Sequence, residues 1–403
     1  MNKKNLLIIL FSAFVLYFFF ISGRRLPDPA DEGIIEFIAD PGLYHNVDDI
    51  HRQQMHNRLD DQFRNLNRRG VFNGTVLYAE NGSVVFKGAY GYADFKTRDT
   101  LTLQSQFQLA SVSKMFTAAA IMLLEQDGLL DYDDTLTRFI PEFPFTNVTI
   151  RQLLTHRSGI SRYMSLADQY WNINKPISNE EVIGLYARHK PSSYFMPDRG
   201  FHYCNANYAL LASVVERVSG MHFDEFLKEK IFDPLGMKHS FVYNLRNDSV
   251  IRRSVPAGVP GHISGGRQLR KVPDYYLNGV MGDKGLYSTV EDLFLFNTAL
   301  DNGTLIPIDA LHEAFEPGSP GYRYRKDNYG FGWRIKDDMD STAYHFGWWK
   351  GFRTYFLRDM RNERVLIALT NTANGVSSEV LWNIIRNNAR NEDLLAIYKE
   401  LND

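Results

Sequence analysis

The chain has 403 residues, of which 44% are hydrophobic and 23% charged, a balance typical of one large or two ordinary globular domains. This composition excludes a disordered or fibrous protein. The formal net charge of −2 creates no general attraction for nucleic acid, so no nucleic-acid partner is predicted. Cys204 is the only cysteine, which excludes an intrachain disulfide and a cysteine-based zinc site.

The N-terminal residues combine an apolar run with basic flanks. Two lysines precede the run at about 6–21, and two arginines follow it. The run is short for a membrane span and long for the core of a signal peptide, and no small-residue cleavage site follows. We interpret residues 1–25 as an uncleaved signal anchor that attaches the protein to the membrane, with a cleaved signal peptide as the alternative. In both cases the rest of the chain is expected outside the cytoplasm, in the cell envelope or secreted.

Residues 26–47 are rich in proline and acidic residues and are predicted to be a linker, followed by one domain over 48–403. Apolar residues at helical spacing predict an amphipathic helix over 48–69. Strand-forming residues flank Asn81-Gly82, which is a strong signal for a β-hairpin.

Strand patterns return near the C-terminus, with a final helix predicted over 377–388. Between the two β-rich ends lies a mainly helical insertion at about 130–310. This order predicts an α+β fold: an antiparallel sheet of about five strands from both chain ends, flanked by helices, with a cleft beside the insertion. The predicted C-terminal strands are 331–336, 343–346, 351–358 and 364–370, and the predicted helices include 111–126, 150–155, 179–188, 207–219 and 288–300, the last with a capping box that begins at Ser288.

The stretch LASVSKMFTA, residues 109–118, places two serines and a lysine at the start of an apolar helix. A serine hydroxyl becomes a good nucleophile when a neighbouring group removes its proton. Lys114 follows Ser111 by three residues and lies on the same helical face, whereas Ser113 points elsewhere. Ser111 is therefore the candidate nucleophile, and an N-capped helix with a solvent-exposed lysine is the alternative.

Two further patterns give Ser111 partners. Tyr203-x-Asn205 lies in a loop that leads directly into a predicted helix, where both side chains can face a cleft. His345-x-Gly347 ends a predicted strand, and Gly347 would let a substrate approach the backbone closely. The backbone N–H of Trp348 could then form an oxyanion hole with that of Ser111.

In this order, the three motifs resemble those of the serine β-lactamase and penicillin-binding protein superfamily, in the branch of class C β-lactamases, D-Ala-D-Ala carboxypeptidases and family VIII esterases. The resemblance implies a β-lactamase/transpeptidase-like fold, with Ser111 forming an acyl-enzyme. It also implies that Lys114 and Tyr203 share the roles of base and acid and that Asn205 orients Lys114 and the substrate. His345 would keep the cleft electropositive, and no metal or cofactor is implied.

One position departs from the family pattern. Phe346 stands where the family usually has a threonine or serine that helps to bind a substrate carboxylate. We therefore expect an esterase or peptidase acting on a small ester, amide or peptide, rather than an efficient β-lactamase. Lys350 or Arg353 could instead supply the carboxylate contact. The alternatives are a β-lactamase or carboxypeptidase proper, or a non-catalytic homologue that uses the same cleft for binding.

Overall fold

The computed structural model describes residues 41–245, 258–266, 268–319, 327–336 and 341–387. Contacts divide the chain into a unit of residues 1–54 and 390–403 and a second unit of residues 55–389. The described part of the first unit is the beginning of one helix. The second unit contains all the remaining described elements.

The helices and strands follow one another in the order that the sequence predicts, with strands at both ends and helices between them. The helices are α1 Pro41–Arg68, α2 Ser113–Gln126, α3 Leu136–Phe139, α4 Ile150–Leu154, α5 Tyr163–Tyr170, α6 Asn179–His189, α7 Asn205–Ser219, α8 Phe223–Leu227, α9 Asp233–Leu235, α10 Val290–Asp301, α11 Ile308–Ala314 and α12 Ser378–Asn387. The strands are β1 Gly74–Glu80, β2 Ser83–Tyr90, β3 Tyr92–Asp94, β4 Asp99–Thr100, β5 Phe107–Gln108, β6 Phe241–Val242, β7 His262–Ser264, β8 Leu269–Lys271, β9 Leu286–Ser288, β10 Asp327–Tyr329, β11 Arg334–Lys336, β12 Thr342–Trp349, β13 Phe352–Asp359 and β14 Arg364–Thr370.

The main sheet is antiparallel and draws strands from both chain ends, which confirms the predicted topology. Its strand order is β10-β11-β12-β13-β14-β1-β2, so it has seven strands rather than about five. The short strand β10 extends one edge, and the β1–β2 hairpin forms the other. Asn81 and Gly82 both have positive φ, 49° and 69°, as a two-residue hairpin turn requires.

Each face of this sheet covers a separate apolar core. On one face, Phe63 of α1 and Leu381 and Ile385 of α12 pack against strand residues such as Leu366. On the other face lies the larger core, which α2 and α7 dominate. Eleven of the fourteen residues of α2 are buried, because this helix lies between the sheet and the helical region.

Three element boundaries differ from the prediction. Helix α1 begins at Pro41, inside the predicted linker. Helix α10 begins after Thr289, whose hydroxyl accepts a hydrogen bond from the Asp292 N–H at 3.1 Å. The predicted cap, Ser288, instead ends β9, because β9 pairs with both β5 and β6. Helix α2 begins at Ser113, after a 3-10 turn over Ala110–Val112.

The predicted signal anchor, residues 1–25, and the linker residues up to 40 lie outside the described residues. Across the portions of the chain that the structure describes, none of the helices combines the length and the apolarity needed to cross a bilayer.

Candidate active site

Ser111 lies in the 3-10 turn that precedes α2, against the main sheet. The backbone of this turn is fixed on two sides: the Leu109 N–H donates to the carbonyl of Leu286 at 2.7 Å, and the Thr354 hydroxyl donates to the carbonyl of Leu109 at 2.6 Å. Ala110 has a φ of 50°, a conformation that L-residues other than glycine, asparagine and aspartate rarely adopt. Strand contacts therefore hold the residue before Ser111 in a strained conformation.

Lys114 is fully buried and its ammonium group contacts three oxygen atoms. It lies 3.2 Å from the Ser111 Oγ, 2.9 Å from the Asn205 Oδ1 and 2.8 Å from the carbonyl oxygen of Asp283. A buried lysine with this set of partners is held in one position. The structure thus brings the first two sequence motifs together around one nitrogen atom.

Ser113 has a different position. It is 97% buried, that is 3% exposed, and its hydroxyl accepts a hydrogen bond from the Leu286 N–H at 3.2 Å. This contact joins α2 to β9. Ser113 is therefore engaged in packing between two elements, as its place on the helix predicts.

Tyr203 and Asn205 lie at the start of α7, which begins at Asn205. The preceding loop is held by His156, whose Nδ1 lies 3.2 Å from the Cys204 N–H and 3.0 Å from the Asn207 Nδ2. The Cys204 N–H and the Asn207 amide group both donate hydrogen bonds. The His156 Nδ1 therefore accepts, and the ring proton is on Nε2. The His156 ring also packs against the Tyr203 ring, with centroids 4.4 Å apart. His156 thus positions the loop that carries the second motif.

Cys204 is packed beneath this loop. It is buried, and its Sγ lies 3.7 Å from the carbonyl oxygen of Ser161. Burial raises the pKa of the thiol to about 11, so it is protonated at neutral pH. Since the thiolate is the nucleophilic form, Cys204 has the properties of a packing residue.

His345, on strand β12, is fully buried. Its surroundings do not fit the expectation that it makes the cleft electropositive. Its Nε2 lies 2.9 Å from the Tyr329 hydroxyl, and its Nδ1 lies 3.0 Å from the carbonyl of Phe346. Burial, followed by the charges of Arg334 and Lys114, lowers the pKa of His345 well below its usual value. The ring is therefore neutral at pH 7.

The positive charge near the cleft comes instead from Arg334, which the sequence analysis did not single out. Its guanidinium lies 5.0 Å from the centroid of the Tyr203 ring, a cation–π distance. The signal that could have found it is its place on strand β11, which pairs with the His345 strand at Tyr344.

Gly347 has a structural role that the sequence analysis did not foresee. A Cβ at this position would lie far inside van der Waals contact with the carbonyl oxygen of Leu109 and the hydroxyl of Thr354. The backbone that approaches Gly347 is therefore the turn that carries Ser111. Trp348 follows with an exposed side chain that packs on Arg353, the ring centroid lying 4.6 Å from the guanidinium carbon.

Phe346 points to the opposite face of the sheet. Its ring packs against Tyr344, Tyr355 and Trp382, with centroids 4.8, 5.1 and 6.0 Å away. The ring therefore belongs to the core beneath α12. The hydroxyl that the family usually has at this position is missing, but the aromatic ring itself is packed away from Tyr203.

Asp283, whose carbonyl oxygen contacts Lys114, forms a buried ion pair with Lys284. The sequence analysis did not identify this pair. Asp283 and Lys284 are 0% and 2% exposed, and the Lys284 Nζ lies 3.2 Å from the Asp283 carboxylate. The Tyr163 hydroxyl accepts from Lys284 at 2.8 Å and donates to Asp283 at 3.0 Å. Burial, with a smaller contribution from Lys114, lowers the pKa of Lys284.

The cavity beside these residues has a volume of about 250 Å³ and is lined by Arg162, Tyr163, Met164, Tyr203, Asn205 and Ala206. It is large enough for a small acyl group and has the second motif in its wall. Within the described residues, no group of histidine, cysteine and acidic side chains could hold a metal ion. The side chains around the Ser111 Oγ can form hydrogen bonds and transfer protons.

Comparisons with known proteins identify the family and the fold of this chain. The family described as Beta-lactamase matches residues 49–390. Penicillin-binding protein 4* of Bacillus subtilis (strain 168) is 35% identical over 335 residues, which are 79% of this chain and 72% of that protein. The teichoic acid D-alanine hydrolase of Staphylococcus aureus (strain MRSA252) is 26% identical over 296 residues, 72% of this chain and 69% of that protein.

A solved structure of similar fold is the penicillin-binding protein from Bacillus halodurans, with a TM-score of 0.67 and 26% identity over 84% of this chain and 98% of that one. The D-amino acid amidase from Ochrobactrum anthropi SV3 has a TM-score of 0.66 at 23% identity, over 79% and 91% of the two chains. The chain therefore belongs to the Beta-lactamase family, as a β-lactamase-related serine hydrolase with the β-lactamase/transpeptidase-like fold.

Proposed function

We propose that this protein cleaves an ester or amide bond of a small substrate through an acyl-enzyme on Ser111, with Lys114 as the general base. The observation that carries the proposal is the set of three contacts around the Lys114 Nζ. It accounts for the position of the base.

The three contacts are chemically unequal. The Asn205 Oδ1 and the Asp283 carbonyl can only accept hydrogen bonds, whereas the Ser111 hydroxyl can donate or accept. A neutral Lys114 satisfies both acceptors with its two N–H groups, and its lone pair then faces the Ser111 hydroxyl at 3.2 Å. In that state Lys114 is arranged to take the proton as the Ser111 Oγ attacks the substrate carbonyl.

Tyr203 is suited to return that proton to the leaving group. Its hydroxyl is buried, and no described residue is its hydrogen-bond partner. The Lys114 Nζ lies 5.1 Å from the centroid of its ring, and Tyr203 lines the adjacent cavity. Since buried polar atoms are normally paired, a substrate leaving-group atom is a suitable partner for this hydroxyl. The proton then passes to the departing oxygen or nitrogen, and water later hydrolyses the ester on Ser111.

For the substrate we propose a small acyl compound rather than a macromolecule. The cavity of about 250 Å³ supports this size. The names of the relatives include a D-alanine hydrolase and a D-aminopeptidase, which supports D-amino-acid esters and amides as the first compounds to examine. We further propose export, with residues 1–25 as the anchor or signal, on the basis of their basic and apolar pattern.

The test is covalent labelling of the protein with a serine-reactive fluorophosphonate and with a fluorescent penicillin. We expect fluorophosphonate labelling of the wild type and of Ser113→Ala, and none of Ser111→Ala. Lys114→Met removes the base with little change in volume, so its labelling rate should fall by about 100-fold or more. Folding of each variant is compared by circular dichroism, because Ser113→Ala also loses the contact with Leu286.

Labelling of Ser111→Ala at the wild-type rate would disprove the proposed nucleophile. Failure to label the folded wild-type protein would favour a binding homologue. Rapid hydrolysis of a chromogenic cephalosporin would identify the protein as a β-lactamase and would rank that reaction above ester or amide hydrolysis.

A further inference from the structure

A second cavity, of about 850 Å³, lies between two small hairpins, β3–β4 and β7–β8. Tyr92, Phe95 and Leu269 form its apolar part. Its titratable lining residues are Asp94, Lys96, Arg98, His262, Arg270 and Lys271. None of them belongs to the machinery around Ser111.

The charge of this cavity is strongly positive. Four cations and one carboxylate give a lining charge of 4 − 1 = +3. Burial lowers the pKa of His262, so this ring adds no charge at neutral pH. The chain as a whole has a formal charge of −2, so the positive charge is concentrated here.

No described carboxylate lies within ion-pair distance of the four cations. Among the described residues, Lys96, Arg98, Arg270 and Lys271 form no ion pair within 4.0 Å, whereas many other basic side chains of the protein do. The one lining carboxylate, Asp94, accepts a hydrogen bond from the Lys96 N–H at 2.8 Å. Like charges that share a concave surface raise its potential and attract anions.

The two hairpins are held in a fixed arrangement by a buried amide. Two-stranded hairpins are only marginally stable alone, so they need such support. The two N–H groups of the Asn371 Nδ2 are shared among three carbonyls: those of Tyr92 and Ala93 in β3, at 3.3 and 3.0 Å, and that of Pro260 ahead of β7, at 3.2 Å. Asn371 is fully buried. The walls of the cavity are therefore organised before any ligand arrives.

We propose that this cavity binds the phosphate groups of a linear polyanion. Arginine forks and lysine ammonium groups are the side chains that hold phosphate oxygens, and the volume exceeds what one phosphate needs. Each phosphate of such a chain keeps at least one negative charge. The four cations then neutralise several groups of one ligand at the same time.

The cavity shares one lining residue, Lys271, with a smaller cavity. Asn278 and Lys350 also line the smaller cavity. The Asn278 Oδ1 accepts a hydrogen bond from the Trp349 indole at 2.9 Å, and the Lys284 Nζ lies 5.2 Å from the centroid of that indole. Basic and aromatic side chains therefore lie between the hairpin cavity and Lys284, beside the catalytic site.

The experiment measures binding of a fluorescent short-chain linear polyphosphate to the full-length protein over a series of salt concentrations. The test variant is Arg98→Gln/Arg270→Gln. The matched control, Arg188→Gln/Lys238→Gln, removes the same charge from exposed cations that do not line the cavity. We expect about tenfold or greater loss of affinity in the test variant, and a salt slope smaller by about 1.4, since each phosphate contact contributes about 0.7. The control should bind like the wild type.

Three comparisons separate the outcomes. Equal binding by test and control variants would overturn the proposal, and so would equal binding of poly-glutamate, because the ligand would then not be recognised as phosphate. Inorganic phosphate is tested as a competitor at the same total phosphate concentration as the polymer. Effective competition would contradict the proposal of a linear ligand and would indicate a site for a single phosphate. Ser111→Ala should bind polyphosphate normally, so a failure of the catalytic proposal does not affect this result.

Discussion

Gly347 is the residue at which the sheet and the nucleophile turn come closest. Strand β12 passes under the carbonyl of Leu109, which also accepts the Thr354 hydroxyl at 2.6 Å. The sequence indicated a glycine for close approach, but only the structure identifies the approaching group as the turn before Ser111. Because the Leu109 carbonyl and the Thr354 hydroxyl fill this space, a side chain at position 347 does not fit without displacing them.

Gly347→Ala should therefore displace the Ser111 turn. We expect the free energy of unfolding to fall by about 1–3 kcal/mol, as is usual for overpacking. The acylation rate should fall by more than the stability loss explains, since a displacement of about 1 Å is enough to disturb attack. Denaturant unfolding measures the change in stability, and the rate of fluorophosphonate labelling measures the change in acylation.

Gly184 provides the matched control for that substitution. It lies within α6, and a Cβ there would meet no atom within 4 Å. Gly184→Ala should leave labelling unchanged and stabilise the protein by about 0.5–1 kcal/mol. If Gly347→Ala labelled at the rate of Gly184→Ala, the close approach would not position Ser111.

At the scale of elements, the loop between the 3-10 turn Tyr276–Gly279 and strand β9 supplies the support for Lys114. Its residues Asp283 and Lys284 form an ion pair with almost no solvent exposure. Removing one charge from such a pair leaves the other buried and uncompensated, which typically costs about 3–5 kcal/mol. Replacing both is tolerated much better.

Lys284→Met should therefore lower the free energy of unfolding by about 3–5 kcal/mol. The double variant Asp283→Asn/Lys284→Met should recover at least half of that loss, because no uncompensated carboxylate remains beside Tyr163. Denaturant unfolding of the wild type, the two single variants and the double variant measures the coupling. Additive losses in this cycle would contradict an energetically coupled pair.

The regular elements could be predicted from the sequence where one periodicity dominates. Strands β12 to β14 alternate or run apolar between clear turns, and α2 is apolar nearly all round. The boundary between Ser111 and α2 could not be predicted. It depends on contacts of Leu109 with Leu286 and Thr354, which lie far away in the sequence.

The sequence pattern predicts candidate reactive residues but does not specify the electrostatics of the site. Three motifs identified Ser111, Lys114 and Tyr203 as candidates, and the structure brings the first two into direct contact. The charge of His345 depends on burial, which a strand pattern alone does not specify. Arg334 and Lys284 lie outside the three motifs, so only their position in the fold connects them with the site.

Over the whole molecule, the site is built with histidines that the folded protein keeps neutral. Burial, then the charge of Lys114, lowers the pKa of His156 well below its usual value, and burial with Arg334 does the same for His345. An unfolded chain has no such constraint, and its histidines titrate near pH 6.5. The two states therefore differ in proton uptake in the mildly acidic range.

The sign of this difference sets the pH dependence of stability. Below about pH 6.5 the unfolded chain binds protons that the folded protein does not bind, so the free energy of unfolding decreases as the pH falls. Each histidine contributes a slope of up to about 1.4 kcal/mol per pH unit. His345→Gln, which keeps a side chain able to hydrogen-bond Tyr329, should reduce the slope between pH 6.5 and 5.5 by about 1 kcal/mol per pH unit, since the unfolded histidine is only partly protonated there. Denaturant unfolding at several pH values measures it, and parallel curves for variant and wild type would show that His345 is protonated alike in both states.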